Sequence, residues 1–299
     1  MQVGFIGTGS IGTPMAINLN EDYPLIVHDV TREKATALLE KGAKWADSPK
    51  ELAAQCDVIH TCLPGPKESI QVVLAEDGII AGAKKGSVYI DHTTNSPELV
   101  RDISAKLNEQ GVEMLDAPVS GGTEGARVKQ LLLMVGGKES TYEKYKDVLS
   151  TMGDMIYTGA IGNGMISKIT HNTASFCLSV AMMENWSIAI KAGLAPEKIV
   201  EVFQRAAIGR NSDIHSRLPN TLFQGKFDPI FALQVAKKDI TLATDLAKSY
   251  GVPARVSELV LQEYIEAVNR GWGAFDSSIV LKLQEERSGV EVRLPKNPD

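Results

Sequence analysis

A short apolar run, Val3 to Ile6, leads into Gly7-Thr-Gly9-Ser10-Ile11-Gly12, and a helical pattern follows through Leu19. Few folds accept a strand, a glycine-rich turn and a helix in that order. Gly7 permits the tight turn. Gly9 lets a pyrophosphate approach the backbone, and Gly12 lets the helix pack closely on the strand. The helix then offers free N–H groups and a positive dipole end to phosphate. The stretch predicts a dinucleotide site at the edge of a parallel sheet.

The next strand, Leu25 to Val27, ends at Asp29, twenty residues after Gly9. A carboxylate there accepts from ribose hydroxyls and repels a 2′-phosphate, which favours NAD over NADP. Arg32 lies just beyond and could pair with such a phosphate. Asp29 could instead cap a helix starting near Arg32. Further strands are expected near Ala43–Ala46, Asp57–Leu63, Ser87–Ile90, Val112–Leu115, Leu131–Val135 and Met155–Thr158. Helices are expected from Pro49 to Gln55, from Pro97, and from Glu139 to Met152. This alternation reads as a doubly wound α/β sheet of the Rossmann type up to about residue 160. Ligands bind such sheets at the carboxyl ends of the strands. Three segments fall there: Leu63-Pro64-Gly65-Pro66, Asp91-His-Thr-Thr94-Asn-Ser96-Pro97 and Asp116-Ala-Pro-Val-Ser120-Gly121-Gly122. Thr94 is expected to face the cofactor, and Ser96 to cap the helix after it. The backbone N–H groups of Ser120, Gly121 and Gly122 can form a nest for a carboxylate.

Between Gly162 and Gly193 no proline interrupts a helical pattern with apolar residues on nearly all sides, which suggests burial between other elements. Lys168, Asn172, Ser175 and Ser179 share one face of it. A lysine in that setting bears a desolvation cost, and two readings stand: a salt-bridged or snorkelling lysine, or a catalytic amine. The same charged and polar residues, with His171, Glu184 and Asn185, argue against a membrane span. Beyond Gly193 only helices are expected: Pro196 to Ala207, Ser212 to Phe223, Ile230 to Tyr250, Pro253 to Asn269, and a last one capped by Asp276. A loose tail from Ser288 follows. The expected organisation is a dinucleotide-binding domain over 1–160, an all-α substrate and oligomerisation domain over 161–299, and the long helix between them, with the active site where the domains meet.

The 299 residues allow two domains, and 43% hydrophobic with 23% charged residues is a globular profile. The net charge of −6, without a run of lysines or arginines, argues against nucleic acid or an anionic membrane as partner. Cys56, Cys62 and Cys177 are spaced for neither a disulfide framework nor a zinc site, so no metal is expected and a reducing, cytoplasmic setting is. The chain enters a strand directly after Met1, so no targeting segment is expected.

Taken together, GTGSIGTPMAINL from Gly7, IDHTTNSP around Thr94, DAPVSGG from Asp116 and GNGMISKITHN ending at Asn172 resemble the β-hydroxyacid dehydrogenase family. The resemblance continues through KKDITLATDLA and GWGAFDSSIV and so covers nearly the whole chain. It implies that Gly7, Gly9, Ser10, Ile11, Gly12 and Asp29 hold NAD, with Leu63 and Pro64 lining its path and Thr94 beside the nicotinamide. Ser120, Gly121 and Gly122 would bind the substrate carboxylate. Lys168 would transfer the proton, Asn172 would orient the substrate, and Lys238 would reach back to the cofactor. A homo-oligomer, dimer or tetramer, is implied as well. Three positions depart from the family pattern. Lys129-Gln130-Leu131 stands for glycine-threonine-leucine, Thr93 for a serine, and His171 for an asparagine. Lys129 would bring a cation near the carboxylate nest, although a solvated surface lysine is the favoured reading of it. Imine reductases share this architecture but typically lack the lysine and prefer the phosphorylated cofactor. A non-catalytic NAD-binding regulator would not need Lys168 and Asn172 on one face.

Overall fold

The computed structural model describes residues 1–211 and 213–294. The chain divides into two compact units, Met1–Thr173 and Ala174–Asp299.

The first unit is built on a nine-stranded sheet. Its strands are β1 (Val3–Ile6), β2 (Leu25–His28), β3 (Lys44–Trp45), β4 (Val58–Thr61), β5 (Val88–Asp91), β6 (Glu113–Asp116), β7 (Val119–Ser120), β8 (Leu131–Gly137) and β9 (Gly153–Gly159). The order is β3-β2-β1-β4-β5-β6-β8-β7, with β9 on β8. Strands β1 to β6 pair in parallel. The sheet is mixed beyond them, since β8 runs antiparallel to β6 and β7 and parallel to β9.

Alternation along the strands divides the core between the two faces of the sheet. Val3 and Phe5 point to one side and pack with Met15, Leu19 and Leu149. Ile6 points to the other and packs with Ile59, Tyr89, Ile103 and Leu107. All of these are essentially without solvent contact. Each buried side chain of this size is worth roughly 2 kcal/mol relative to exposure.

Register carries this packing to the functional edge. Ile6 pairs with His28 and Thr61, Thr61 with Asp91, and Asp91 with Asp116. These five residues form one row across the sheet. The segments opening at Gly7, Asp29, Cys62, His92 and Ala117 therefore leave it side by side, which is how a parallel sheet gathers residues distant in sequence.

Ser96 caps the helix Pro97–Glu109, its hydroxyl accepting from Leu99 N at 3.2 Å. The helix Pro66–Leu74, strand β7 and the short helix Gly122–Arg127 were not expected.

The long helix is Asn163–Lys191, 29 residues, and the unit boundary falls within it. Its expected burial on nearly all sides is corrected. Residues 173–180 are exposed, and Phe176, Leu178, Val180 and Met183 stand 67%, 48%, 53% and 61% open. A single chain leaves this stretch uncovered.

The second unit contains, among its described residues, only helices and one isolated bridge, Ala232 to Asp276. Several expected helices are shorter or broken. The one expected to begin at Ile230 begins at Leu233, because Asp276 takes the Ile230 and Phe231 N–H groups at 3.1 and 3.0 Å and holds that segment extended. Asp276 also caps the turn after it through Ser278 N. The stretch after Ser212, which itself lies outside the described residues, is a π-turn at Asp213–Arg217 and two short turns, Leu218–Asn220 and Leu222–Gln224, separated at Thr221. Residues 289–294 are not a loose tail. Glu285 accepts from Val292 N at 2.7 Å and pairs with Arg293 at 2.6 Å, and Leu294 N reaches Phe223 O. Residues 295–299 of the expected tail lie outside the described residues.

Candidate active site

Gly7, Gly9, Ser10, Ile11, Gly12, Asp29, Leu63 and Pro64 line one cavity of about 460 Å³ at the carboxyl edge of the sheet. The three glycines differ in their reasons. Gly7 has φ +96°, and a Cβ there would run into the Cys62 carbonyl. A Cβ on Gly12 would run into the Gly7 carbonyl oxygen, so the helix start can approach the turn only without a side chain. A Cβ on Gly9 would meet no atom within 4 Å. Packing within the chain accounts for the first two, and only open space faces the third.

Asp29 is buried and does more than sequence reasoning expected. One carboxylate oxygen accepts from Thr8 N at 2.8 Å and Thr8 Oγ1 at 3.3 Å. The other accepts from Thr31 N at 3.0 Å. Asp29 thus ties the glycine turn to the end of β2. It is not the N-cap of the short helix Arg32–Ala35, which is Thr31, and no side chain caps that helix start. Arg32 is engaged elsewhere, its guanidinium 5.3 Å above the Trp45 ring. The cation on the cavity wall is Lys34, 3.9 Å from Asp29. Cys62 also lines the cavity, and burial with the nearby Asp91 charge pushes its thiol up to about 12. It therefore stays protonated and is no nucleophile.

Two fully buried carboxylates close the next two strands. Asp91 accepts from Thr61 Oγ1 and Thr93 N, each at 2.9 Å, and from Asn95 Nδ2 at 2.8 Å. It thereby shapes the segment that presents Thr94, which is exposed. Thr93, the departure from the family serine, is buried and accepts from Leu63 N at 3.0 Å, joining two segments of the edge. Asp116 accepts from Gly162 N at 2.8 Å and Met165 N at 2.9 Å at the start of the long helix. Burial pushes both carboxyls up, and these donors pull them back. Sequence reasoning overlooked Thr8, Lys34 and both carboxylates. An aspartate ending two adjacent apolar strands was a visible signal for the latter.

Ser120 ends β7, and Gly121-Gly122 turns into the short helix Gly122–Arg127. Lys129 stands apart from this nest as a cation, because its ammonium pairs with Glu21 at 2.6 Å. Its φ of +57° is the left-handed conformation that favours glycine, the residue the family pattern has there.

Lys168 and Asn172 lie one turn apart on the long helix, both half-buried. Burial alone pushes the Lys168 ammonium below the ordinary lysine value. No neighbouring charge contributes, His171 included. That ring lies 3.3 Å from the Asn172 side-chain oxygen. Thr94, Ser120, Gly121, Gly122, Lys168 and Asn172 are not part of the 460 Å³ cavity. Lys238 belongs to the second unit, on the helix Leu233–Ser249, where its ammonium meets Asp239 at 3.0 Å.

Among the described residues no cluster of histidine, cysteine and carboxylate side chains could hold a metal ion, and no helix is long and apolar enough to cross a membrane.

Residues 2–162 match the family described as the NAD binding domain of 6-phosphogluconate dehydrogenase. Residues 162–284 match the NAD-binding family of NADP-dependent 3-hydroxyisobutyrate dehydrogenase. The chain is 32% identical over 294 residues to 2-(hydroxymethyl)glutarate dehydrogenase of Eubacterium barkeri, covering 98% of this chain and 97% of that one. A solved structure of 3-hydroxyisobutyrate dehydrogenase from Mycobacterium tuberculosis with L-serine is 28% identical with a TM-score of 0.64, covering 95% of this chain and 98% of that one. Imine reductase from Myxococcus stipitatus with NADP+ has a TM-score of 0.82 at 18% identity, covering 95% of this chain and all (100%) of that one, a likeness of fold alone. With a glycine turn built for a dinucleotide and relatives matched almost end to end, the chain belongs to the 3-hydroxyisobutyrate dehydrogenase-like family of β-hydroxyacid dehydrogenases, NAD(P)-dependent oxidoreductases.

Proposed function

We propose that the protein is an NAD-dependent dehydrogenase interconverting a small β-hydroxyacid and its semialdehyde or ketone, with Lys168 as the general acid/base. The observation that carries this reading is the state of that amine. Lys168 is half-buried, burial disfavours its ammonium, and it occupies the position at which the family's motif has its proton-transfer residue. A lysine left in water is too basic to act near neutral pH, and desolvation moves it toward use.

The cavity fits the cofactor. The open space over Gly9 suits a diphosphate, which the first N–H groups of the helix Gly12–Asp22 would bind beside Ser10 and Ile11. Asp29 would hold the ribose end with its unused lone pairs, and its charge favours NAD over NADP. Lys34 is already drawn to that carboxylate, and Arg32 lies over Trp45. Leu63 and Pro64 would line the path, and Thr94 and Lys238 would add contacts. Bound there, NAD+ supplies the acceptor for the hydride leaving the alcohol carbon. Ser120, Gly121 and Gly122 bind the substrate carboxylate, and Asn172 orients the substrate. Lys168 takes the hydroxyl proton and returns it in reduction. Two relatives support a β-hydroxyacid: 2-(hydroxymethyl)glutarate, for which one is named, and L-serine, with which the other was solved, each carry a hydroxyl β to a carboxylate. The residues from 161 onward form the substrate and oligomerisation part, and the open apolar stretch of the long helix is the face a second copy covers.

The direct test is NAD(P)H absorbance with a panel of three- to six-carbon β-hydroxyacids, and with cyclic imines in reverse. NADH formation from a β-hydroxyacid, faster than NADPH formation, is expected. NADPH-driven imine reduction without hydroxyacid oxidation would make the protein an imine reductase, and dinucleotide binding without turnover would make it a regulator.

The pH dependence carries a sign. Because Lys168 is depressed, its neutral form is populated below the ordinary lysine range. Oxidation should rise with pH to a plateau whose midpoint lies below that range, and reduction, which needs the ammonium, should fall across the same midpoint. Steady-state profiles in both directions check this. A midpoint at the free-lysine value removes burial as the activating device.

A further inference from the structure

The helix that carries Lys168 starts without a cap of its own. Its first residue is Asn163, and the preceding N-cap position is Gly162, which has φ +91° and no side chain. A helix start has N–H groups without intrahelical partners, and an N-cap side chain usually takes one of them. Here the acceptor comes from 46 and 49 residues away. Asp116 Oδ1 accepts from Gly162 N and Oδ2 from Met165 N. One carboxylate thus holds the helix start at two points, which fixes rotation about its axis as well as position. Lys168 is three residues beyond Met165, on the next turn of the same face.

Close packing supports the same reading. A Cβ on Gly164 would run into the Met134 carbonyl and stand 2.8 Å from both Asp116 O and Oδ2. A Cβ on Gly136 would run into Asp116 Oδ1 and stand 2.9 Å from Gly164 N. Strand, carboxylate and helix start meet with no room for a side chain between them. Asp116 is also the last residue of β6, and the chain continues from it through Ala117-Pro118-Val119 to Ser120. The proton-transfer helix and the anion nest are therefore referred to one residue.

Resting on the role proposed for Lys168, we propose that Asp116 is the positioning residue that holds this lysine in register with the Ser120–Gly122 segment, through the first turn of the long helix. The means is the pair of hydrogen bonds from the helix start to its carboxylate.

The test uses Asp116→Ala and Asp116→Asn in the full-length protein, with two readouts. The first is the pH dependence of Lys168 acetylation by acetic anhydride without cofactor, read by peptide mass spectrometry. The second is kcat beside the NAD dissociation constant. With the helix start released, the lysine gains water, and its acetylation midpoint moves up toward the ordinary lysine value. Misplacement on the order of 1 Å lowers kcat about a hundredfold, with NAD affinity unchanged. Asn, which keeps one acceptor, loses less than Ala and serves alone if Ala does not fold. A lower Tm with the midpoint and the kcat per folded molecule both unchanged reduces Asp116 to a structural cap and overturns the proposal. A Lys168→Ala control that keeps wild-type kcat defeats the lysine's role instead, while the midpoint still reports whether Asp116 holds it.

Discussion

Lys168→Ala is expected to lower kcat by about a thousandfold, within the range that general acid–base groups contribute. NAD affinity should stay within about twofold, because the residues lining the dinucleotide cavity do not include Lys168. Among the described residues the half-buried amine has no side-chain hydrogen bond or ion pair, so its removal takes away no partner there. Stability should change little, or rise slightly, since burying an ammonium carries a desolvation cost. Single-turnover kinetics with saturating NAD+ separate the chemical step from binding and release. Survival of the chemical step at near wild-type rate would mean that another group moves the proton.

The second large effect separates two glycines three residues apart. Gly12→Ala should destabilise the first unit by about 3 kcal/mol or more, because the added Cβ meets the Gly7 carbonyl oxygen and neither backbone segment can yield cheaply. Gly9→Val should leave stability nearly unchanged, because the space around its Cα is open. It should instead raise the NAD dissociation constant about a hundredfold, or ~2.7 kcal/mol, by filling the space left for a diphosphate. Thermal melts and cofactor titration of the two variants measure the contrast. Unimpaired binding by a stable Gly9→Val protein would put the dinucleotide elsewhere.

These contrasts mark what a sequence can and cannot show. The glycine turn, the parallel strands and the Ser96 cap were legible because each rests on local chemistry: φ freedom, alternation, and a hydroxyl reaching three residues ahead. Strand β7 was not, because two residues become a strand only by pairing with Leu132 and Leu133 across the sheet. The start of the helix Leu233–Ser249 was misjudged because Asp276, more than forty residues later, holds Ile230 and Phe231 out of it. In the candidate site the residue types were readable from their spacing, whereas the partners of Asp29, Asp91 and Asp116 were not. Those partners follow from strand register, a property of the assembled sheet. The long helix misled in a different way, since an apolar rod reads as buried even where a single chain supplies no cover for Phe176 or Met183.

The double duty of Asp29 bears on any attempt to retune the cofactor. Deleting this carboxylate, the obvious first move toward accepting a 2′-phosphate, would also unfasten Thr8 and Thr31 and slacken the loop that must cradle the diphosphate. Asparagine keeps an oxygen for Thr8 while shedding the negative charge, so it offers a gentler entry to that redesign than alanine. On the role proposed for Asp29, selectivity and the hold on the loop are coupled, and changing one without compensating the other should weaken the grip on both dinucleotides.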